Sequence, residues 1–166
     1  MADDNPTPHQ ALHIVVACDH RGFNAKERVI GMLRDIGHDV DDLGCDGVAG
    51  CDYPDFAAPA ARGVVAGKWD VAVLLDGCGI GMSIVANKIP GCRAACAHDE
   101  VTARIGREHN HANVLCIGCD LIGEQTLMSV IRTFLETAWG EGRHLRRITK
   151  IDALESADAS VRSAAS

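Results

Sequence analysis

A chain of 166 residues with 47% hydrophobic content can bury one substantial core and is too short to argue for two domains. Its formal net charge of −7 denies it the cationic footprint that nucleic acid or an anionic membrane surface requires, so neither is expected as a partner. No apolar run approaches the ~20 residues of a membrane-spanning helix, and the polar start MADDNPTPHQ lacks the basic-then-apolar pattern of a secretory signal, which points to the cytoplasm.

After a flexible N-terminal segment, 1–11, residues 12–18 (LHIVVAC) form an apolar, β-rich run of the kind buried on both faces of a parallel sheet. The run stops at Asp19-His20-Arg21-Gly22, which puts an acid, an imidazole and a cation at a strand's carboxyl end. Lys26, Val29, Ile30, Leu33 and Ile36 trace a helix closed by Gly37. A weaker strand follows at 38–43, then a glycine-rich loop at 44–52. Tyr53-Pro54 opens the next helix, with Phe56, Ala60, Val64 and Val65 inward and Gly67 as its stop. Residues 71–75 (VAVLL) are another wholly apolar strand. They run directly into Gly77-Cys78-Gly79-Ile80-Gly81, after which 82–88 has helical spacing.

Pro90-Gly91 reads as a turn before a strand at 92–97 that ends at His98-Asp99-Glu100. A helix over 100–108 leads to His109-Asn110-His111, a polar cluster that no packing argument requires. A fifth strand is expected at 113–118 and an amphipathic helix at 123–138, with Leu127, Val130, Ile131, Phe134 and Leu135 on its apolar side. Beyond Gly140 and Gly142, the run Arg143-His144-Leu145-Arg146-Arg147 begins an apolar-periodic segment through Leu154, and 155–166 reads as a flexible tail.

Five alternations of strand and helix predict a doubly wound parallel sheet of the α/β class, one domain spanning 12–154. Ligands in such sheets bind outside the carboxyl ends of the strands, so Asp19-His20, Asp76-Cys78 and His98-Asp99 should share one rim. Asp76 and Cys78 flank the first glycine of a loop whose amides face one spot at a helix N-terminus, a setting that favours negative charge. The loop lacks the spacing of a dinucleotide fingerprint and follows the third strand rather than the first. In a cytoplasmic chain the eight cysteines read as reduced thiols. The pair Cys116-x-x-Cys119 points to opposite faces of a strand with no second pair to complete a site, so no metal is expected. Arg143 and Arg147, four apart on one helix face, make either a solvated surface or an anion clamp.

The ordered motifs together resemble the type B ribose-5-phosphate isomerase family, which includes the galactose-6-phosphate isomerase subunits. They are Ala17-Cys18-Asp19-His20 with Gly22 and Lys26, Asp52-Tyr53-Pro54, Gly77-x-Gly-x-Gly81 through Ala86-Asn87-Lys88, and Pro90-Gly91-x-Arg93-Ala94. Arg107-x-His109-Asn110, Asn113-Val114-Leu115 and Gly142-Arg143-His144 with Arg147 complete them. The resemblance implies a Rossmann-like three-layer sandwich with a five-stranded parallel sheet. It also implies metal-free interconversion of an aldose phosphate and its ketose without a cofactor, and a homodimer with shared active sites; a dimer of dimers stays open.

By this resemblance His109 opens the sugar ring with Asp19 assisting, Asn110 holds the open chain, Tyr53 lines the pocket, and His20, Arg143 and Arg147 hold the phosphate. The amides of Gly77, Gly79, Ile80, Gly81, Met82 and Ser83 suit the enediolate, because preorganised donors act where charge develops. Asp76 stands where many members carry a cysteine base, and Met82 where others carry a glutamate. The base is therefore Asp76 or Cys78, and Asp76 is favoured because a carboxylate is ionised at neutral pH. Asp120 stands where many members carry a phosphate-gripping arginine, which leaves a four- or six-carbon sugar phosphate open beside the pentose. Two readings from other classes compete. A non-catalytic sugar-phosphate or nucleotide-binding module would keep the anion hole and the arginines, and a thiol enzyme would use Cys78 at the helix N-terminus.

Overall fold

The apolar runs form the strands of one parallel sheet: β1 (His13–Cys18), β2 (Asp39–Asp42), β3 (Val71–Asp76), β4 (Ala94–Cys96) and β5 (Val114–Gly118), in the order β2-β1-β3-β5-β4. The computed structural model describes residues 10–164. All six residues of β3 and all five of β5 are buried, as a central parallel strand requires when both faces are covered. The edge strands are short, and β2 carries three aspartates, a composition that discourages further strand pairing.

Alternate residues of each strand face different helices. One core gathers Ile14, Val16, Val73, Leu75, Leu115 and Ile117 against α1 (Phe23–Asp35) and α5 (Glu124–Glu136), with Ala103 of α4 (Glu100–Asn110) on the same side. The other gathers Val15, Ala17, Ala72, Leu74, Val114 and Cys116 against α2 (Pro54–Val65) and α3 (Ile80–Ala86). Each fully buried Val, Leu or Ile contributes about 1.5–3 kcal/mol, so this two-sided core carries the fold. The result is the expected three-layer α/β sandwich. Among the described residues no helix is long and apolar enough to cross a membrane.

Some boundaries differ from the sequence expectation, each for a local reason. α3 starts at Ile80 rather than 82, because Gly79 turns the chain into the left-handed region at φ 77° and the Asp76 carboxylate receives the first amides. α4 continues through Asn110 and closes on His111, also left-handed at φ 49°. α6 (Arg143–Ala164) continues past Leu154, where a flexible tail was expected. Its turn at that point is pinned: the Glu155 carboxylate accepts from the Gly91 amide at 2.8 and 2.9 Å, and Asp152 pairs with Arg93 at 3.4 Å. The sequence beyond contains no glycine or proline to break the helix. The N-terminal tail expected over 1–11 falls outside the described residues except for its last two positions.

At the entrance to β1, His38 Nδ1 accepts a hydrogen bond from the Leu12 amide at 3.2 Å, so its ring proton sits on Nε2. Burial holds its pKa below the ordinary imidazole value. A histidine depressed in the folded state contributes stability that is fully present above its unfolded pKa of about 6.5 and is lost as pH falls through the window below it, where the unfolded chain binds more protons. Thermal melts between pH 7.5 and 5.5 should therefore show Tm falling with acidification, with a shallower fall in His38→Gln.

Candidate active site

The topology reverses between β1 and β3: the chain leaves β1 towards β2 on one side and returns to β3 on the other. The register pairs Cys18 with Leu75, so the next residues, Asp19 and Asp76, emerge side by side at the carboxyl edge. The Asp19 amide donates to the Leu75 carbonyl at 3.2 Å and closes the seam. Both carboxylates are buried, at 5% and 4% exposure. Asp19 is oriented by its own loop, since Oδ1 accepts from the amides of Arg21 at 2.8 Å and Gly22 at 3.2 Å. His20 turns towards the 44–52 loop, where Nδ1 accepts from the Cys51 amide at 3.4 Å, and lies 3.9 Å from Asp19 Oδ2.

Asp76 closes the glycine loop on itself. Its Oδ1 accepts from the Gly79 amide and, at 3.0 Å, from the Cys78 amide, while Oδ2 accepts from the Met82 amide at 3.4 Å. Two of the amides expected to face a ligand, those of Gly79 and Met82, are thus held by the chain's own carboxylate. The amides of Gly77, Ile80 and Gly81 have no protein acceptor among the described residues. Met82 buries its side chain completely and Ser83 Oγ donates to the Ile80 carbonyl at 2.8 Å; with the Met82 amide on Asp76 and the Ser83 amide on the Gly79 carbonyl at 3.1 Å, neither residue offers the free donor expected of it. Gly81 is needed because the Tyr53 ring lies against it: a Cβ there would come within 2.8 Å of the ring. That contact brings Tyr53, at the start of α2, to the loop.

Cys78 is half-buried, with its backbone seated on Gly118 beside His98. His98 Nε2 accepts from the Gly118 amide at 3.1 Å, and the His98-Asp99 dipeptide at a strand end was the signal for its place on this rim. Burial together with the Asp76 and Cys78 charges pushes the Cys96 thiol up, and burial with Asp76, Asp120 and Asp19 pushes Cys119 up to about 12. Cys116 is fully buried and raised mainly by desolvation. These three thiols stay protonated at neutral pH. Among the described residues no group of three or more His, Cys, Asp or Glu is arranged to hold a metal ion.

The remaining candidates lie elsewhere. α4 leaves the carboxyl end of β4 and delivers the chain to the amino end of β5, so its 11 residues carry His109 and Asn110 about 16 Å down the molecule, away from Asp19 and Asp76. There His109 stacks on His144 of α6, with ring centroids 4.2 Å apart and planes at 17°. Arg143 Nε approaches His144 Nε2 at 3.5 Å, and the Gly140 amide donates to the Glu108 carbonyl at 2.8 Å. Burial first, then the neighbouring His109, Arg143 and Arg147, holds His144 below its ordinary pKa. Arg107 anchors the turn from inside: its guanidinium is buried between Phe134 and Trp139 and donates to the Ala112 carbonyl at 2.6 Å. The candidate residues therefore fall into two groups at opposite edges of the sheet.

The chain is similar to known proteins in sequence and in fold. The profile of the ribose/galactose isomerase family matches residues 14–151. Ribose-5-phosphate isomerase B of Escherichia coli is 34% identical over 142 residues, covering 86% of this chain and 95% of that protein. Among solved structures, ribose-5-phosphate isomerase B of Clostridium thermocellum superposes with a TM-score of 0.85 at 38% identity, over 87% of this chain and 97% of that one. The Mycoplasma genitalium enzyme with bound ribulose-5-phosphate gives 0.84 at 36% identity, over 87% and 96%.

The loop geometry makes a direct demand on Gly79. A Cβ there would lie 2.8 Å from Cys96 Sγ and 3.1 Å from the Gly118 amide nitrogen, in a left-handed conformation that side chains disfavour. Gly79→Ala should cost about 1–3 kcal/mol in urea unfolding.

Proposed function

The chain belongs to the ribose/galactose isomerase family, and on that footing we propose that it interconverts ribose 5-phosphate and ribulose 5-phosphate through an enediolate. It is an aldose–ketose isomerase of a sugar phosphate. The observation that carries the residue-level reading is the pair of buried carboxylates, Asp19 and Asp76, at adjacent strand ends beside a loop with unclaimed amides.

The reaction needs three services. The ring must open, which requires proton transfer at the ring oxygen and the anomeric hydroxyl; His109 and Asp19 take this role, and Asn110 holds the open chain. A proton must then leave carbon 2 beside the aldehyde. Asp76 accepts it and returns it to carbon 1, while a proton passes between the two oxygens. The enediolate charge that develops meanwhile meets the free amides of Gly77, Ile80 and Gly81, fixed in advance by the same loop that holds Asp76. Tyr53 walls the sugar pocket, and His20, Arg143 and Arg147 receive the phosphate. The three amides already on Asp76 support a second reading in which that carboxylate is the loop's structural cap and Cys78, the half-buried thiol of the loop, is the base.

Because His109, Asn110, Arg143 and Arg147 sit at the far edge of their own sheet, a working site needs a second copy. Its His109 end would face this chain's Asp76 rim, and twofold symmetry would make two such sites at once. This supports a homodimer with shared active sites.

Incubating the protein with ribose 5-phosphate in heavy water should yield ribulose 5-phosphate and place deuterium at carbon 2 of the aldose, read by NMR. Asp76→Asn should reduce turnover by about 100- to 10,000-fold; a larger loss in Cys78→Ser than in Asp76→Asn would transfer the base role to the thiol. Co-refolding equal amounts of inactive His109→Ala and Asp76→Asn chains should restore about a quarter of wild-type activity, since half the dimers are then hybrids with one intact site. No recovery would count against the shared site.

A further inference from the structure

The loops after β1, β3 and β5 lie next to one another at the carboxyl edge, and an ion pair bridges the outer two across the middle one. Arg21 donates from Nε at 2.8 Å and from Nη2 at 2.6 Å to the same oxygen, Oδ2, of Asp120. That oxygen lies 2.9 Å, and the Arg21 Cγ and Cβ 3.6 and 3.7 Å, from where a Cβ on Gly77 would stand, so both side chains lie over Gly77. Their backbones are fixed to the same site, since the Arg21 amide donates to Asp19 Oδ1 at 2.8 Å and the Asp120 amide to the Gly77 carbonyl at 3.2 Å.

The pair is half exposed, at 56% and 41%, and an exposed pair of this kind adds only about 0–1 kcal/mol to stability. Its consequence is electrostatic. Asp19, Asp76 and Asp120 put three carboxylates around an opening that has to admit an anion. Lys26, the other cation rooted in this part of the molecule, is buried and committed to the Cys45 carbonyl at 2.8 Å and to Asp42 at 2.9 Å. Arg21 offers a rigid guanidinium of which one edge is held by Asp120, while Nη1 has no acceptor among the described residues.

We propose that Arg21 is a substrate-binding residue that contacts the phosphate of the sugar phosphate over Gly77, and that Asp120 is the positioning residue that aims it. Asp120 at this rim then serves anion binding through its partner instead of opposing it. The inference rests on the sugar-phosphate reading of the site, and it adds a cation that neither the motifs nor the second copy supplies.

The test uses the full-length protein with two probes, ribose 5-phosphate for kinetics and inorganic phosphate for calorimetric binding. Arg21→Met should raise both KM and the phosphate Kd about tenfold or more, with a smaller effect on kcat, and Arg21→Lys should recover part of the loss. Values within twofold of wild type in Arg21→Met would overturn the assignment. Asp120→Ala separates positioning from simple charge: removing a carboxylate would by itself tighten phosphate, whereas loss of the aim weakens it. A raised Kd is expected, and a lowered one would remove the positioning role. Calorimetry does not need turnover, so a protein that binds phosphate through Arg21 and leaves ribose 5-phosphate unchanged would sink the isomerase substrate and keep the cation. A melting temperature close to wild type in each variant excludes unfolding as the cause.

Discussion

The site depends on where the Asp76 carboxylate goes. It sits at the end of the central strand, buried, and collects the amides of Cys78, Gly79 and Met82. Among the described residues the carboxylate is held by backbone amides rather than by a cationic side chain, and those bonds are also what shape the loop. Gly79 can turn left-handed, α3 can begin at Ile80, and Gly81 can receive the Tyr53 ring only in that shape. The amides of Gly77, Ile80 and Gly81 are left without a protein acceptor among the described residues. A carboxylate and unclaimed amides built into one loop are held in a fixed relation to each other by the same backbone.

Around this centre the charges are sorted by distance. Carboxylates gather at the carboxyl edge, where burial first, then Asp76, Asp120 and Asp19, keeps the Cys119 thiol protonated. At the opposite edge His109 stacks on His144 beside Arg143 and Arg147, and burial first, then these neighbouring charges, holds His144 towards its neutral form. The candidate residues thus fall into two groups, Asp19 and Asp76 at one edge and His109, His144 and Arg143 at the other. The separation follows from the α/β topology, because a helix that begins beside the site must end a sheet's height away from it. The Arg21–Asp120 pair is the exception, a cation kept on the acidic edge by a carboxylate of its own.

Much of this was legible in the chain. Apolar runs such as VAVLLD mark strands buried on both faces, and alternation with helical spacing leaves a parallel sheet as the solution, so the fold and the carboxyl rim follow from periodicity and right-handed crossover. Asp19, Asp76 and His98 could be assigned to that rim because each follows a strand. Helix limits were less legible where one long-range bond decides them. The lack of glycine and proline in 155–164 permits a continued helix without fixing it, whereas the Glu155 carboxylate on the Gly91 amide pins α6 at a point 64 residues away in sequence.

The sequence by itself determined the sheet, its covering helices and the residue types available at each strand end, because these depend on local pattern and on burying apolar faces. Only the tertiary structure decided which of those residues meet. Strand order and register bring Asp19 beside Asp76 and fold Asp120 over Gly77 onto Arg21, while the direction of α4 sends His109 to the other edge. Side-chain partners of this kind are fixed by packing between segments distant in the chain, where a difference of one loop or one helix turn changes the contact and leaves the sequence pattern unaltered.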